Sequence, residues 1–316
     1  MRAVRYHEHG GPEVLAVEDV NVPTPGREEV RIGVEAAAVN PVDTYFREGS
    51  YEPAALPMIP GADAAGVVEA VGENADLSVG DRVFATGLGN DRQGTYAEST
   101  VAPVDRVSRL PDGVSFAEAA AGALVGVTAW RALVHHAGLE PAEECLVHGG
   151  SGGVGHVAVQ LGDAVGAAVT TTASERYHDR LRGMGAVRTF DYRRDDLAER
   201  VGERPPAVIL DHRLDEYLQF DADVAKQGAR VVGIGNTTAA AEFSNVAAAR
   251  ATELQLSLMS MFNTPDLRAV LDRLASLMAA GDVVPEVART YSLDEAATAQ
   301  RDVLSESFFG KLVIEP

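Results

Sequence analysis

The sequence predicts an α/β protein in two parts, an all-β unit of short strands followed by a doubly wound parallel sheet. Three observations carry this. Residues 1–112 are short β-forming runs separated by Gly and Pro. The texture changes at Pro111-Asp112-Gly113, and from Cys145 onward apolar strand-like runs alternate with amphipathic helix-like runs, the pattern of a parallel sheet covered on both faces. Finally, Cys145-Leu146-Val147 leads into His148-Gly149-Gly150-Ser151-Gly152-Gly153-Val154-Gly155, a glycine-crowded turn between a strand and a helix.

In order, residues 2–6, 14–20 and 30–38 read as strands, with turns at Gly10-Gly11-Pro12 and Pro23-Thr24-Pro25-Gly26. Pro57 to Pro60 is a rigid loop leading into Gly61–Gly72. Val79–Phe84, Gly94–Glu98 and Val101–Val107 continue the β pattern. Ser115 and Glu118 form a capping box that opens a helix continuing from Thr128 to Ala137.

Strand 145–148 precedes helix 154–165, and strand 167–172 precedes helix 174–183. A short strand at 187–190 precedes helix 195–201. Strand 207–210, helix 215–225 and strand 229–234 follow. A helix is expected over 264–280, with Thr264 as N-cap and Gly281 as stop. A further helix near 294–304 and a closing strand at 311–314 complete the chain.

Within the glycine turn, Gly150-Ser151-Gly152-Gly153-Val154-Gly155 fits G-x-G-x-x-G. Glycines there can turn the chain, admit a pyrophosphate to the backbone and let helix and strand pack closely. Phosphates would sit against the free N–H groups and the positive dipole end of the helix. The alternative is a glycine-rich turn with only a structural role.

The composition bounds the function. With 316 residues, 46% apolar and 23% charged, the chain can bury a large core. Its apolar stretches are interrupted before the roughly 20 residues that span a bilayer, and no apolar run follows the first charges as in a signal peptide; a cytoplasmic protein without membrane partners is expected. The single Cys145 excludes an intramolecular disulfide and a multi-thiolate zinc site. A net charge of −20 repels nucleic acid. Lys226 and Lys311 are the only lysines among 27 basic residues. Acid-rich, lysine-poor surfaces suit salty cytoplasm and suggest a halophile, with a GC-rich genome as the alternative source of the bias.

Taken together, these residues resemble the zinc-free quinone oxidoreductase (zeta-crystallin-like) branch of the medium-chain dehydrogenase/reductase superfamily. The likeness runs nearly end to end. It is carried by Arg2–Arg5 with Gly10–Leu15, Ala38–Tyr45, Pro60–Gly66, Val79–Val83, the glycine turn Val147–Gly155 and Gly310–Ile314. The resemblance implies a GroES-like catalytic domain from 1–115 and 265–316, a Rossmann NADP-binding domain from 116–264, and the nicotinamide in the cleft between them. Zinc-dependent members carry a Cys where this chain has Asn40-Pro41-Val42-Asp43, and Gly-His-Glu where it has Gly61-Ala62-Asp63. The ligand set for a tetrahedral zinc is therefore missing, and no metal is expected.

Residue by residue, the resemblance places Tyr45, Asn40 and Thr128 at the nicotinamide and substrate. Tyr45 is a phenolic donor or a wall; Asn40 is a donor to a substrate oxygen or a brace for its loop; Thr128 is near the nicotinamide amide or simply helical. Cofactor contacts are expected at Tyr45, Ser151, Gly152, Gly153, Val154, Ala173, Ser174, Arg176, Tyr192, Gly233, Ile234, Gly235, Met261, Phe262 and Asn263.

Enzymes that use NAD usually end the second strand with an acid for the ribose 2′-OH. Here Val169–Ser174 contains none, which favours NADPH, with Arg176 as the 2′-phosphate grip or else a solvated helix residue. Tyr177 stands where relatives often carry Lys. Asp211-His212-Arg213 replaces a small turn, leaving cofactor contact there open.

The expected activity is NADPH-dependent, metal-free reduction of quinones or other conjugated carbonyls. The alternatives are an enoyl thioester reductase and a non-catalytic crystallin-like NADPH-binding protein. A homodimer is expected, paired through a sheet edge near Val231–Ile234 or Leu254–Ser260.

Overall fold

A computed structural model describes residues Met1–Pro316. The chain divides into two compact units, Met1–Val125 with Pro265–Pro316, and Gly126–Thr264.

The first unit is GroES-like. Strands β1 (Arg2–Arg5) and β2 (Ala16–Asp19) form an antiparallel ribbon. The long β3 (Glu29–Val39) runs into helix α1 (Pro41–Glu48), and β4 (Asp63–Val71), β5 (Arg82–Ala85), β6 (Ser99–Pro103) and β7 (Val107–Arg109) follow. Helix α2 (Phe116–Trp130) leaves this unit at Val125.

The second unit is Rossmann-like. In order come β8 (Glu144–Val147), α3 (Gly153–Val165), β9 (Ala168–Thr172), α4 (His178–Gly183), β10 (Arg188–Phe190) and α5 (Leu197–Gly202). Then follow β11 (Val208–Asp211), α6 (Leu214–Val224), β12 (Arg230–Gly233), α7 (Val246–Ala251) and β13 (Gln255–Leu258). The chain returns to the first unit with α8 (Leu267–Ala280), β14 (Val287–Ser292), α9 (Ala296–Ser305) and β15 (Lys311–Glu315).

In the first unit the large sheet runs β14-β15-β3-β4-β5-β7, and β6 pairs with the first half of β3. β15 crosses to the other end of β3, setting Leu312 opposite Val39 and Ile314 opposite Ala37. This pairing brings the last strand of the chain to the place where β3 gives way to α1. Val34, Val39, Tyr96, Tyr291, Leu312 and Ile314 share one core there.

In the second unit six parallel strands run β10-β9-β8-β11-β12-β13. The chain winds outward from β8 to β10, then restarts on its other side at β11. All six carboxyl ends therefore lie along one edge of the sheet. Leu146, Ile209 and Val231, on three central strands, pack with Leu214 and Leu218 of α6.

The structure corrects several local expectations. Residues 1–112 are not all β: α1 is a helix, because Asn40 can cap it, Pro41 fits its first position, and the Asp43 carboxylate accepts the Asn40 N–H at 2.9 Å. Gly94–Glu98 forms no strand of its own, although Ala97 makes an isolated antiparallel bridge to Ala3 of β1, with Val4 donating to the Tyr96 carbonyl and Glu98 to the Arg2 carbonyl. Gly94 and Thr95 donate to the carbonyls of Ile59 and Pro60, so the segment folds onto that loop. The run 101–107 breaks into β6 and β7 at a short 3₁₀ turn, Val104–Arg106. α8 begins at Leu267 rather than at Thr264, because the Asp266 side chain caps the Ala269 N–H; the Thr264 hydroxyl closes the preceding turn on Met261 instead.

α2 continues as a π-helical segment, Arg131–His136. Together the two are long and apolar enough to cross a membrane by length and composition, although shorter runs were expected; most of the stretch is buried inside the protein. Val231–Ile234 is not a free edge, because β12 lies between β11 and β13; the edge on that side is β13.

Candidate functional site: a dinucleotide cradle and a buried lysine network

The glycine turn stands at the carboxyl end of β8. Gly149 adopts φ +68°, and its N–H donates to Thr172 Oγ1 at 3.1 Å. A Cβ on Gly150 would lie 2.2 Å from Thr171 Oγ1, and one on Gly155 would lie 2.2 Å from the Gly149 carbonyl. Glycine at these two positions thus lets the turn, β9 and α3 pack against one another. The first residue to donate along α3 is His156, to the Gly152 carbonyl at 3.1 Å. The N–H groups of Gly153, Val154 and Gly155 have no partner within the chain, and Gly152 gives the helix no side-chain cap. Orphaned donors at the positive end of a helix fit a phosphate group. The residues present therefore fit a dinucleotide.

The other expected contacts of the second unit fall along the same sheet edge. Ser151 lies in the turn. Ala173 is buried just beyond β9, and its N–H donates to Phe190. Ser174 opens a 3₁₀ turn, Glu175–Tyr177, in which the Arg176 guanidinium lies 4.6 Å from the centre of the Tyr177 ring. Tyr192, 45% exposed, follows β10. Gly233 ends β12, Ile234 donates to the Asp211 carbonyl, and Gly235 accepts from Leu214. Met261, Phe262 and Asn263 form a 3₁₀ turn beyond β13. Thr128 is buried in α2, one turn before Arg131, whose guanidinium donates to the Ser260 carbonyl and so braces the turn at Met261–Asn263.

In the first unit, Tyr45 is half-buried on the second turn of α1, its ring 6.0 Å edge-on from Tyr51. Burial, with lesser contributions from Tyr51 and Glu48, holds its phenol above the ordinary range, so it remains protonated at neutral pH. Asn40 is only 1% exposed. Its Nδ2 donates to Asp63 Oδ2 at 2.8 Å and its Oδ1 accepts from Lys311 Nζ at 2.6 Å. The Asn40 amide is thus engaged inside the protein rather than presented to a substrate.

Lys311, Asp63 and Asp43 are the partners that sequence reasoning missed or underweighted. Lys311 also donates to the Val39 carbonyl at 2.6 Å. Asp63 accepts from Thr86 at 2.5 Å and from the Leu124 N–H at 3.0 Å. Tyr96 donates to Asp43 at 2.9 Å. Burial is the main influence on all three charged groups: it lowers Lys311, raises Asp63 and raises Asp43 to about 7. A lone Lys in the apolar run Lys311-Leu312-Val313-Ile314 was the available signal, since an unpaired lysine is almost never fully buried.

No group of three or more His, Cys, Asp or Glu side chains converges as a metal site. At the positions where the resemblance to zinc-dependent members would put ligands, Asn40 instead accepts from the Lys311 ammonium and donates to Asp63, whose charge acts on that ammonium. A donor set already holding one cation, with no His or Cys, does not fit a zinc ion.

A GroES-like unit joined to a Rossmann sheet with an open glycine cradle defines the medium-chain dehydrogenase/reductase architecture. Residues 26–112 match the alcohol dehydrogenase GroES-like domain, and residues 184–314 match the family described as zinc-binding dehydrogenase. The human quinone oxidoreductase is 35% identical over 324 residues, covering 99% of this chain and 97% of the relative. The quinone oxidoreductase of Pseudomonas aeruginosa is 34% identical, covering 100% and 99%. The solved structure of Escherichia coli quinone oxidoreductase complexed with NADPH superimposes with a TM-score of 0.89 at 29% identity, over the whole of both chains. A solved NAD-dependent alcohol dehydrogenase superimposes with a TM-score of 0.91 at 31% identity, again over both whole chains. The chain belongs to the quinone oxidoreductase branch of the medium-chain dehydrogenase/reductase superfamily and is an oxidoreductase of that type.

Proposed function

We propose that the protein is an NADPH-dependent reductase of quinones or other conjugated carbonyls, working by hydride transfer without a metal. One observation carries the cofactor reading: three unpartnered N–H groups at the start of α3, beside a strand end that offers no acid to a ribose 2′-hydroxyl. Ser151, Gly152, Gly153 and Val154 hold the pyrophosphate; Ala173, Ser174, Arg176 and Tyr192 hold the 2′-phosphate end; Gly233–Gly235 and Met261–Asn263 hold the nicotinamide half. When bound, the nicotinamide supplies the hydride.

The protein's own part is orientation, exclusion of water and one proton. Tyr45, still a phenol at neutral pH, donates to the reduced oxygen and walls the pocket. Thr128 positions the carboxamide. Asn40 acts one step back: held by Lys311 and Asp63, it fixes the start of α1 and so the placement of Tyr45. The buried ammonium supports the metal-free reading, because it fills the position a second cation would need.

The enoyl thioester alternative needs free cations for coenzyme A phosphates. Arg193 and Arg194, the adjacent pair, are already bound to Asp191 and Asp196 at 2.7 Å each, which favours the smaller acceptor. The acid-rich surface points to a salty cytoplasm, and the β13 edge to a homodimer.

The test offers NADPH with a simple quinone, a cyclic enone or an enoyl thioester, in the presence of chelator. Oxidation by quinone or enone, falling at least about tenfold in Tyr45→Phe, is expected. Preference for the thioester would transfer the protein to the rival class, and inertness toward every acceptor would leave only cofactor binding. Unchanged turnover in Tyr45→Phe would reduce Tyr45 to a wall.

A further inference from the structure

The strand order places a discontinuity between β8 and β11. From β8 the chain winds outward toward β10; from β11 it winds the other way toward β13. Ligands of open parallel sheets bind in the crevice outside the carboxyl ends at such a switch point. Two short segments border that crevice here, His148-Gly149 after β8 and His212-Arg213 after β11.

His212 leans across Gly149. A Cβ on Gly149 would lie 2.6 Å from His212 Cε1 and 3.0 Å from its Nε2, so glycine is what allows the ring to rest there. The residue keeps exposed surface, yet its ring packs 6.3 Å from the Tyr217 ring and burial lowers the imidazole to about 4, so it is neutral at pH 7; no hydrogen bond or ion pair engages either ring nitrogen. Its backbone, in contrast, is firmly held. Asp211 Oδ1 accepts the Arg213 N–H at 2.7 Å, and Leu214 donates to the Gly235 carbonyl at 3.0 Å. The His212 carbonyl itself lies 2.6 Å from where a Gly235 Cβ would stand. The neighbouring Arg213 is committed to Glu216. An imidazole carried on a firmly held backbone, with no hydrogen bond to its ring nitrogens, therefore borders the same turn as the free N–H groups of α3.

We propose that His212 is a binding residue for the ribose–pyrophosphate portion of the dinucleotide, clamping it from the β11 side while the α3 amides hold it from the β8 side. This rests on the cofactor reading given above and deepens it. The contact is to a part that NADPH and NADH share, so His212 governs the affinity for both, whereas Arg176 governs the choice between them.

The experiment titrates NADPH and NADH separately into wild type, His212→Ala, His212→Gln and Arg176→Ala, following nicotinamide fluorescence with no acceptor present. His212→Ala should weaken both cofactors by a similar factor, about tenfold, the scale of one hydrogen bond to a charged group. His212→Gln, which keeps an N–H donor, should recover part of the loss and stands in if the alanine variant does not fold. Arg176→Ala should weaken NADPH alone. Unchanged affinities in both His212 variants, or a loss confined to NADPH, would overturn the assignment while leaving the cofactor reading intact. A wild type that binds neither nucleotide would overturn both.

Discussion

The Lys311 ammonium lies 2.6 Å from Asn40 Oδ1, joining the last strand of the chain to the residue that opens α1. Both side chains are almost wholly buried. Lys311→Met removes the positive charge that offsets buried Asp63 and leaves the Asn40 side-chain oxygen and the Val39 carbonyl without their donor. Losing one partner of a buried charged pair costs about 3–5 kcal/mol, and urea denaturation should show a loss of that order. A loss below about 1 kcal/mol would mean that the ammonium is not the organising charge.

Asp43 gives the site a pH signature. Its carboxyl is pushed up to about 7, chiefly by burial, with the Asp63 charge adding to the rise. In the unfolded chain it ionises near the ordinary aspartate value. Between those limits the folded protein holds a proton the unfolded chain has released, so this contribution is complete at the acid end and is lost as pH rises through about 7. Asp43→Asn is neutral throughout. Its stability relative to wild type should therefore climb between pH about 4 and 7 and level off above. Asp211 has the same sign and His148 the opposite one, but both are present in the two proteins and cancel in the difference. A pH-independent difference in paired urea titrations would refute the assignment.

The β13 edge carries Leu256 and Leu258, which are 40% and 68% exposed, in a strand with one side unpaired. Exposed apolar edges seek another strand, and a second copy of this chain supplies a self-complementary one. Light scattering should find a dimer, and Leu258→Lys should shift it to monomer with little change in each subunit's spectrum. A wild-type monomer would contradict this pairing.

A surface of net charge −20 repels itself in dilute buffer. The melting temperature should rise by several degrees as potassium chloride is raised toward molar concentration, where the Debye length shortens to about 3 Å. An equally stable protein in dilute buffer would leave genome composition as the source of the arginine bias.

Much of the second unit was legible because its signals are local. Strand and helix periods alternate cleanly from Cys145 onward, and Gly149–Gly155 announces its turn within a few residues. The capping box at Ser115 and Glu118 was legible for the same reason, and both of its hydrogen bonds are present. What escaped was mostly non-local. Nothing near Asn40 reveals that Lys311, 271 residues later, takes its carbonyl oxygen. Nothing near Gly149 reveals that His212 covers it. α1 is the exception: Asn40-Pro41 with Asp43 was a readable helix start, hidden inside a region whose other elements are strands. The Thr264 cap failed for a subtler reason, since two capping residues, Thr264 and Asp266, competed within one turn, and the first was used by the preceding 3₁₀ turn.

The most direct test of hydride transfer at a metal-free site is the deuterium isotope effect on quinone reduction by NADPH labelled at the nicotinamide C4, measured after exhaustive chelation. A primary isotope effect with a rate unchanged by chelation is the predicted result. Loss of activity on chelation that returns with added zinc, or no consumption of NADPH at all, would contradict it.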